Sequence, residues 1–280
     1  MPKTSDLMES VKKSQIWKSI FRHDIPRDER GRAQVVLTNV FLHLHPVRTP
    51  KSGIRVRYTW CMGGLTFFIF MVEVVTGIML LFYYRPTLEY AYTDIIDLGE
   101  QVPLGIMREI HRWGAHLMII TVWLHMLRVF MTGSYKPPRE FNWAIGVILL
   151  LLTLLLSFTG YLLPWDQLAI WAITVGSNMA RATPFLGHEG PGASFLKIGE
   201  VALVHAGDDA RFGLLAGRFV GEGTLLRFYV LHCLAIPFVA AILMAVHCWR
   251  GRKDGGISGP MKGGPDPFYG RVNGRRKGSD

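Results

Sequence analysis

Four long apolar runs divide the chain, and polar or glycine-containing segments separate them. The runs cover roughly residues 58–84, 106–131, 143–163 and 225–249. At a rise of about 1.5 Å per residue, each run is long enough as a helix to cross a hydrocarbon layer of about 30 Å. Runs of this length exclude a water-soluble globular protein. The pattern therefore predicts an all-α membrane protein with a bundle of four transmembrane helices.

The N-terminal region has a different pattern, in which apolar residues recur near helical spacing among lysines and arginines. The apolar residues are Leu7, Met8, Val11, Ile16, Trp17, Ile20 and Phe21. A helix of this kind lies in the membrane interface, with its charged face toward water. We expect an amphipathic surface helix here. The first twenty residues contain no apolar run followed by a cleavage site, so we expect no signal peptide to be removed.

The charge distribution predicts the orientation in the membrane. Of the 280 residues, residues 1–57 contain 12 Lys and Arg against 5 acidic residues, residues 128–140 contain 3 against 1, and residues 250–280 contain 8 against 3. With four spans, these segments lie on one side, which the positive-inside rule identifies as the cytoplasm. The basic residues that give the chain its net charge of +10 therefore lie next to the membrane. This location indicates contact with anionic lipid rather than with nucleic acid.

This topology predicts three parts of the chain. Residues 1–57 form an N-terminal extension on the cytoplasmic side, residues 58–250 form the four-helix transmembrane domain with an outer loop at about 164–224, and residues 251–280 form a cytoplasmic-side tail. All three cysteines lie in or at the edge of the apolar runs, which excludes a disulfide scaffold.

Four histidines lie inside apolar runs, where a polar side chain is costly and is expected to have a functional partner. His111 and His125 are 14 residues apart in the second run, and His232 and His247 are 15 apart in the fourth. Both steps are close to four helical turns, so each pair shares a helix face, with about 21 to 23 Å between its members. Facing helices of this kind offer two bis-histidine sites, as a haem iron requires.

The alternative for these histidines is hydrogen bonding between helices. We favour haem, because four histidines occur at matched depths. His116 has no counterpart and is expected to be structural. The histidines outside the runs are expected to be ordinary surface residues: His23, His43, His45, His188 and His205.

Two glycine pairs repeat the same spacing in the other two runs. Gly63 and Gly77 are 14 residues apart in the first run, and Gly146 and Gly160 are 14 apart in the third. Glycine removes a side chain where a flat cofactor must approach a helix. The alternative is helix packing, since small residues are common at membrane interfaces; the matched histidines favour the haem interpretation.

Several motifs in sequence order resemble the cytochrome b of quinol-oxidising bc-type complexes, in the split four-helix form found as cytochrome b6 and in menaquinol complexes. The matching stretches are CMGGLTFFIFMVEVVTGIMLLFYYRPT, HRWGAHLMIITVWLHMLRVFMTGSYKPPRE, FTGYLLPWDQLAIWAITVG, GTLLRFYVLH and RKDGGISGP. They run from about residue 58 to residue 260, interrupted by the long loop. The resemblance implies a four-helix haem-binding bundle.

The resemblance also implies roles for individual residues. His111 and His232 correspond to the ligands of the low-potential haem b on the outer side, and His125 and His247 to those of the haem b on the cytoplasmic side. Arg108 and Arg128 correspond to positions near haem propionates, and a solvated or snorkelling arginine is the alternative for each. Arg252, five residues after His247, is a further candidate for a propionate partner.

Cys61 matches a cysteine that, in the split family, holds a third haem by a single thioether on the cytoplasmic side. The mitochondrial type of cytochrome b lacks this cysteine. The alternative is a small buried apolar residue. No CxxCH motif occurs, so an ordinary c-type attachment site is absent from the chain.

The PWDQ motif and the residues around it resemble the outer quinol pocket of the family. The residues at pocket-lining positions are Phe158, Tyr161, Leu168, Ala172 and Val175. From sequence alone they could equally face lipid. The chain lacks the Pro-Glu-Trp-Tyr segment of the pocket, which implies a separate three-helix subunit. Glu73 also stands where the family usually has Gln.

By resemblance, the chain is the cytochrome b subunit of a quinol:cytochrome c (or equivalent acceptor) oxidoreductase. The resemblance implies that electrons cross the membrane through two b haems, between an outer quinol-oxidation site and an inner quinone-reduction site, coupled to proton translocation. It implies a Rieske iron-sulfur protein, a c-type cytochrome, quinone and membrane lipid as partners, a dimeric complex, and a bacterial cytoplasmic membrane with both termini inside. We assign no catalytic residue.

Two alternatives remain from the sequence. One is a haem b membrane anchor of a dehydrogenase, hydrogenase or reductase that exchanges electrons with the quinone pool. Such an anchor needs neither PWDQ, nor the glycine pairs, nor Cys61. The other is a transporter whose intramembrane histidines relay protons, and it would bind no haem.

Overall fold

The computed structural model describes residues 4–20, 28–29, 31–32, 56–101, 103–198, 201–253 and 257, and these residues are mostly helical. The α-helices are Thr4–Lys13, Gln15–Ile20, Val56–Thr59, Met62–Leu81, Ala91–Glu100, Leu104–Met131, Glu140–Leu162, Gln167–Ala180, Ala210–Leu215, Glu222–Val230 and Ile236–Lys253. A short 3-10 helix, Ala193–Phe195, precedes two antiparallel strands, Lys197–Ile198 and Val201–Ala202. Lys197 pairs with Ala202, and Ile198 pairs with Val201.

Four of the helical segments are long and apolar enough to cross a membrane, as the sequence pattern predicts. We call them span 1 (Met62–Leu81), span 2 (Gly105–Met131), span 3 (Glu140–Leu162) and span 4 (Glu222–Arg252). Large apolar side chains such as Phe68 stay exposed along them. An apolar surface of this extent suits contact with lipid tails.

Span 1 begins later than the apolar run does. Trp60 and Cys61 adopt left-handed backbone conformations, with φ values of 54° and 52°. Two consecutive residues in this region interrupt a right-handed helix. The short helix Val56–Thr59 therefore ends before the turn, and the spanning helix starts at Met62. The spanning helix is therefore shorter than the apolar run that begins near residue 58, and Cys61 lies outside this helix and is exposed.

Span 4 contains one turn of π-helix, Leu231–Ala235, between its two α-helical parts. A π-turn accommodates one residue more than an α-turn, and such turns are frequent at functional sites. His232 lies in this turn. The extra residue accounts for the step of 15 from His232 to His247, which is one residue longer than the step between the histidines of span 2.

The chain forms two compact units. One comprises Met1–Leu65, Thr121–Leu150 and Ile242–Asp280, and the other comprises Thr66–Ile120 and Leu151–Ala241. Both are built from segments distant in sequence, so neither corresponds to one of the three parts predicted above. That division of the chain stays a prediction.

In the first unit, Arg250 holds the N-terminal helices against the ends of spans 3 and 4. Arg250 is 2% exposed and donates hydrogen bonds to the carbonyl oxygens of Ser19 (2.5 Å) and Ile20 (3.1 Å). The Ser19 hydroxyl accepts a hydrogen bond from the Phe141 backbone N–H at 3.0 Å. A helix is present at Thr4–Lys13, and its apolar side chains, including Leu7, are exposed. Its location on the membrane surface stays a prediction, and Phe21 lies outside the described residues.

In the second unit, the segment between spans 3 and 4 is more ordered than its glycine content indicates. It contains the helices Gln167–Ala180 and Ala210–Leu215, which begin at Asp166 and Asp209 as N-caps. An aspartate N-cap satisfies backbone N–H groups that have no partner in the first turn. The apolar residues packed there form one cluster: Leu162, Ala169, Ile173, Leu215 and Phe228.

His188 in this segment is not an ordinary surface residue. Its Nδ1 lies 2.5 Å from Oδ2 of Asp209, whose side chain is 1% exposed. Burial alone would raise the pKa of Asp209, but hydrogen bonds from the Phe212 backbone N–H and from His188 hold that pKa below its usual value. His205 is exposed as expected, and the other three histidines expected at the surface lie outside the described residues.

Candidate functional site

The four intramembrane histidines form two pairs. The rings of His111 and His232 have centroids 6.1 Å apart, and their planes are 85° apart. The rings of His125 and His247 have centroids 6.3 Å apart, and their planes are also 85° apart. Each pair joins span 2 to span 4 within one compact unit. The structure therefore brings the histidines together in the pairs that the sequence predicts.

The spacing of each pair suits one metal ion between two imidazoles. Two metal–nitrogen bonds of about 2 Å each, together with the half-widths of the two rings, span about 6 Å between centroids. Among the described residues, no group of three or more His, Cys, Asp or Glu side chains could hold a metal ion. Two imidazole ligands at each site, without a third protein ligand in the part of the chain that the structure describes, fit what a haem iron would require of the protein.

Each of the four predicted glycines lies directly against one of these imidazole rings. A Cβ atom would lie 3.1 Å from Cε1 of His125 at Gly63, and 3.2 Å from Cε1 of His111 at Gly77. Both glycines belong to span 1. The backbone of span 1 therefore leaves room for the histidines of span 2.

Span 3 leaves room for the histidines of span 4 in the same way. A Cβ atom would lie 3.3 Å from Cε1 of His247 at Gly146, and only 2.6 Å from Cε1 of His232 at Gly160. The glycines therefore lie against the candidate ligand imidazoles. Their role in making room for a flat cofactor stays a prediction.

Both histidines of the first pair have acceptors for Nδ1. His111 Nδ1 lies 2.9 Å from Thr76 Oγ1 and 3.1 Å from Oε2 of Glu73. The Thr76 hydroxyl donates to the Val72 carbonyl at 2.7 Å, so its oxygen is an acceptor for an Nδ1–H. An imidazole that carries its proton on Nδ1 presents Nε2 as the metal ligand.

His232 has an equivalent arrangement. Its Nδ1 lies 3.1 Å from the Leu156 carbonyl oxygen and 3.2 Å from Thr159 Oγ1. By contrast, Nδ1 of His125 is buried and has no hydrogen-bond partner among the described residues, and His247 faces the Asn142 backbone. The two pairs therefore share one ring geometry but differ in the groups around it.

Thr76 and Thr159 were not predicted from the sequence. Each comes directly before the glycine that seats a histidine of the first pair, so Thr-Gly occurs inside spans 1 and 3 at 76–77 and 159–160, while a third Thr-Gly, at 132–133, follows span 2. The glycines of the second pair follow Met62 and Ile145 instead. This repeated dipeptide is the signal that could have identified the two threonines.

The three predicted arginines already have protein contacts. Arg108 lies 3.2 Å from a carboxylate oxygen of Glu109. Arg128 donates to the Arg57 carbonyl oxygen at 3.3 Å, and its guanidinium lies 4.6 Å from the centre of the Trp60 ring. Arg252 is half-buried at the end of span 4. A role toward haem propionates stays a prediction for all three.

Cys61 lies in the left-handed turn before span 1, next to the Trp60 ring that Arg128 covers. It is a free, exposed cysteine. The alternative of a buried packing residue is therefore wrong for Cys61. Of the other two, Cys233 is half-buried and Cys248 is exposed.

The five predicted quinol-pocket residues lie at the end of span 3 and in the helix that follows. Phe158, Tyr161, Leu168 and Val175 are exposed, and Ala172 packs against the apolar cluster of this segment. The Phe158 ring meets the Phe228 ring edge to face, with centroids 6.1 Å apart. Assignment of a quinol pocket to these residues stays a prediction.

Known proteins resemble this chain over most of its length. Residues 47–190 match the family model described as cytochrome b/b6/petB. The cytochrome b6 of Heliomicrobium gestii is 41% identical over 218 residues, which are 78% of this chain and 91% of that protein. The menaquinol:cytochrome c reductase cytochrome b subunit of Bacillus subtilis (strain 168) is 36% identical over 249 residues, which are 88% of this chain and 92% of that protein.

The chain belongs to the cytochrome b/b6 family. Membership implies haem b binding and makes the chain an integral membrane protein of electron transport and a subunit of an oxidoreductase. A solved structure titled "Hyperthermophilic respiratory Complex III" has the same fold, with a TM-score of 0.60 and 24% identity. The match covers 90% of this chain, which spans only 56% of the solved one.

Proposed function

We propose that this cytochrome b carries two b haems and is the membrane subunit of a quinol:cytochrome c (or equivalent acceptor) oxidoreductase. The observation that carries the proposal is the pair of bis-histidine arrangements, each seated on glycines of spans 1 and 3. His111 and His232 hold one haem, and His125 and His247 hold the other. When bound, haem iron takes up and releases single electrons.

The residues themselves supply ligation, orientation and an apolar environment. Thr76 and the Leu156 carbonyl oxygen accept hydrogen bonds from the Nδ1–H groups of the first pair, which fixes the ring orientations and leaves both Nε2 atoms for the metal. The four imidazoles are half-buried among the apolar side chains of the spans. The protein's contribution is thus binding and electrostatics, while the cofactor carries the redox chemistry.

The orientation follows the basic segments. We place both termini in the cytoplasm, the His111–His232 pair toward the outer side, and the His125–His247 pair toward the cytoplasm. Quinol is then oxidised on the outer side and quinone is reduced on the cytoplasmic side, with net outward movement of protons. We assign the exposed side chains of the Phe158–Val175 region to part of the quinol pocket.

The remaining parts of the proposal concern partners and a third haem. A Rieske iron-sulfur protein accepts one of the two quinol electrons, a c-type cytochrome follows it, and a separate three-helix subunit completes the quinol pocket of a dimeric complex. Cys61 holds a haem c by a single thioether. This assignment is supported by the exposed thiol of Cys61 in the turn before span 1.

The experiment is a denaturing gel of the purified chain stained for haem peroxidase activity, with a pyridine haemochrome spectrum of the same preparation. We expect a stained band at 31.6 kDa alongside extractable haem b. Cys61→Ser abolishes the stain and keeps the haem b, whereas the matched thiol control Cys248→Ser keeps both.

The other outcomes separate the alternatives. Extractable haem b without a stained wild-type band would remove the third haem and favour the dehydrogenase-anchor alternative. A purified chain without any haem would contradict the whole proposal.

A further inference from the structure

Glu73 lies inside span 1 with its carboxyl group against the His111 ring. Oε2 is 3.1 Å from Nδ1 of His111, and the Glu73 side chain is 13% exposed. Oε1 is buried and has no hydrogen-bond partner among the described residues. Span 2 leaves room for this oxygen at Gly114, where a Cβ atom would overlap it. Two helices therefore hold the carboxyl group in contact with one candidate haem ligand.

Among the four candidate ligands, His111 is the histidine that has a carboxyl group next to Nδ1. His232, the partner of His111, has only a backbone carbonyl and a threonine hydroxyl at Nδ1. Nδ1 of His125 has no partner within the described part of the chain, and His247 faces the Asn142 backbone. A carboxyl group near Nδ1 is consequently a difference between the two pairs, although their ring spacing and interplanar angle are nearly equal.

An acceptor on the second nitrogen of a ligand imidazole makes that imidazole more basic. A more basic ligand donates more electron density to iron and stabilises the ferric form over the ferrous form, which lowers the reduction potential. Hydrogen bonding around the ligands is one of the means by which a protein sets haem potentials. The Thr76 hydroxyl lies at hydrogen-bond distance from Nδ1 of His111, and Oε2 of Glu73 lies 3.1 Å from the same nitrogen, close enough to share its N–H group.

We propose that Glu73 is a positioning residue that shares the Nδ1–H group of His111 with Thr76 and lowers the reduction potential of the haem held there. This inference rests on the proposed function, because it requires haem at both pairs. No bond is made or broken, and no proton leaves the pair. The lower potential favours passage of an electron from the His111–His232 site to the His125–His247 site.

The experiment is a potentiometric titration of both b haems in the purified complex, followed optically. Glu73→Leu removes the acceptor, and Glu73→Met does the same with an unbranched side chain of similar length should the leucine variant not assemble. Glu73→Gln keeps an amide oxygen as acceptor. Glu109→Gln is the matched control, since it removes a carboxylate two residues before His111 that pairs with Arg108 and Arg112 and not with the imidazole.

We expect the apolar variants to raise the ratio of reduced to oxidised haem at the His111 site about tenfold at a fixed ambient potential, which corresponds to 59 mV for a one-electron couple. Glu73→Gln shifts the same haem less, and Glu109→Gln leaves it close to wild type. The second haem does not move in any variant.

Three results would overturn the proposal. They are an unshifted potential in the apolar variants, equal shifts of both haems, or a shift in Glu73→Gln or Glu109→Gln as large as in Glu73→Leu. The last would mean that a nearby charge acts without the hydrogen bond. Absence of haem at both pairs in the wild-type complex would instead contradict the proposed function.

Discussion

The four seating glycines differ in how closely they approach their histidines, and this difference predicts a graded response to alanine. Gly160→Ala would place a Cβ atom 2.6 Å from Cε1 of His232, whereas Gly146→Ala would place one 3.3 Å from Cε1 of His247. Carbon atoms in good contact are about 3.5–4.0 Å apart. The His232 ring must therefore move by about 1 Å, and the His247 ring by a few tenths of an ångström.

A shift of that size matters because metal–ligand distances tolerate about 0.2 Å. Overfilling a well-packed site costs about 1–3 kcal/mol, and each 1.4 kcal/mol is about tenfold in affinity. We expect Gly160→Ala to fall at the upper end of this range and to lose most of the haem at the His111–His232 site. Gly146→Ala falls at the lower end and keeps its haem.

The assay is haem b content per chain by pyridine haemochrome, with redox titration to identify which haem is lost. Gly64→Ala is the matched control, because a Cβ atom there meets nothing within 4 Å among the described residues. In a helix, alanine in place of glycine even contributes about 0.5–1 kcal/mol of stability. We expect Gly64→Ala to bind both haems in full.

The reasoning would be refuted by equal losses in Gly146→Ala and Gly160→Ala, or by a loss confined to Gly146→Ala. Haem loss in Gly64→Ala would also refute it, since the damage would then follow from helix substitution and not from approach to an imidazole.

Two further predictions concern contacts away from the haem sites. Arg85 donates from its backbone N–H and its guanidinium to Asp94, whose side chain is 4% exposed, and these hydrogen bonds hold the pKa of Asp94 below its ordinary value of 3.8. A carboxyl group whose pKa is lower in the folded state stabilises the fold at pH values above its unfolded-state pKa, and this stabilisation is lost as the pH falls through the folded-state pKa. The thermal unfolding temperature of the complex should therefore fall below about pH 4, and Asp94→Asn should reduce that fall. An unchanged pH profile in the variant contradicts this. Arg250→Met removes charged hydrogen bonds worth about 1.5–3 kcal/mol each from the N-terminal helices, so limited proteolysis before residue 20 should accelerate at least about tenfold, and an unchanged cleavage rate contradicts the anchoring role.

Much of the membrane architecture follows from the sequence, because it depends on long apolar runs and on helical periodicity. The pairing of His111 with His232, and of His125 with His247, follows from steps of about four turns on two helices. These regularities extend over many residues, so small errors at the ends of a run do not disturb them.

Local backbone conformations were less predictable. The turn at Trp60 and Cys61 contains no glycine, although its φ values of 54° and 52° are in the region that glycine favours. Nothing in the residue types there indicates where the helix is interrupted. The helices Ala91–Glu100 and Ala210–Leu215 were missed because tertiary packing, rather than a long periodic pattern, stabilises such short segments.

The side chains that contact the candidate ligands could not be predicted from the sequence pattern either. Glu73 was noted as unusual at its position, but its contact with His111 depends on the space that Gly114 leaves on a different helix. Thr76 acts through a hydroxyl whose own proton goes to the Val72 carbonyl. Such roles require the relative rotation of two helices, which composition and spacing do not specify.

The π-turn Leu231–Ala235 has a consequence for the alignment of relatives. A homologue whose corresponding histidines are 14 residues apart needs no such turn, and its fourth span can be an uninterrupted α-helix. An alignment between the two kinds of sequence should then place a one-residue gap inside this turn, beside His232. In evolutionary terms, the turn absorbs a single-codon insertion, so that the chain length of the span can change while both ligand positions are retained.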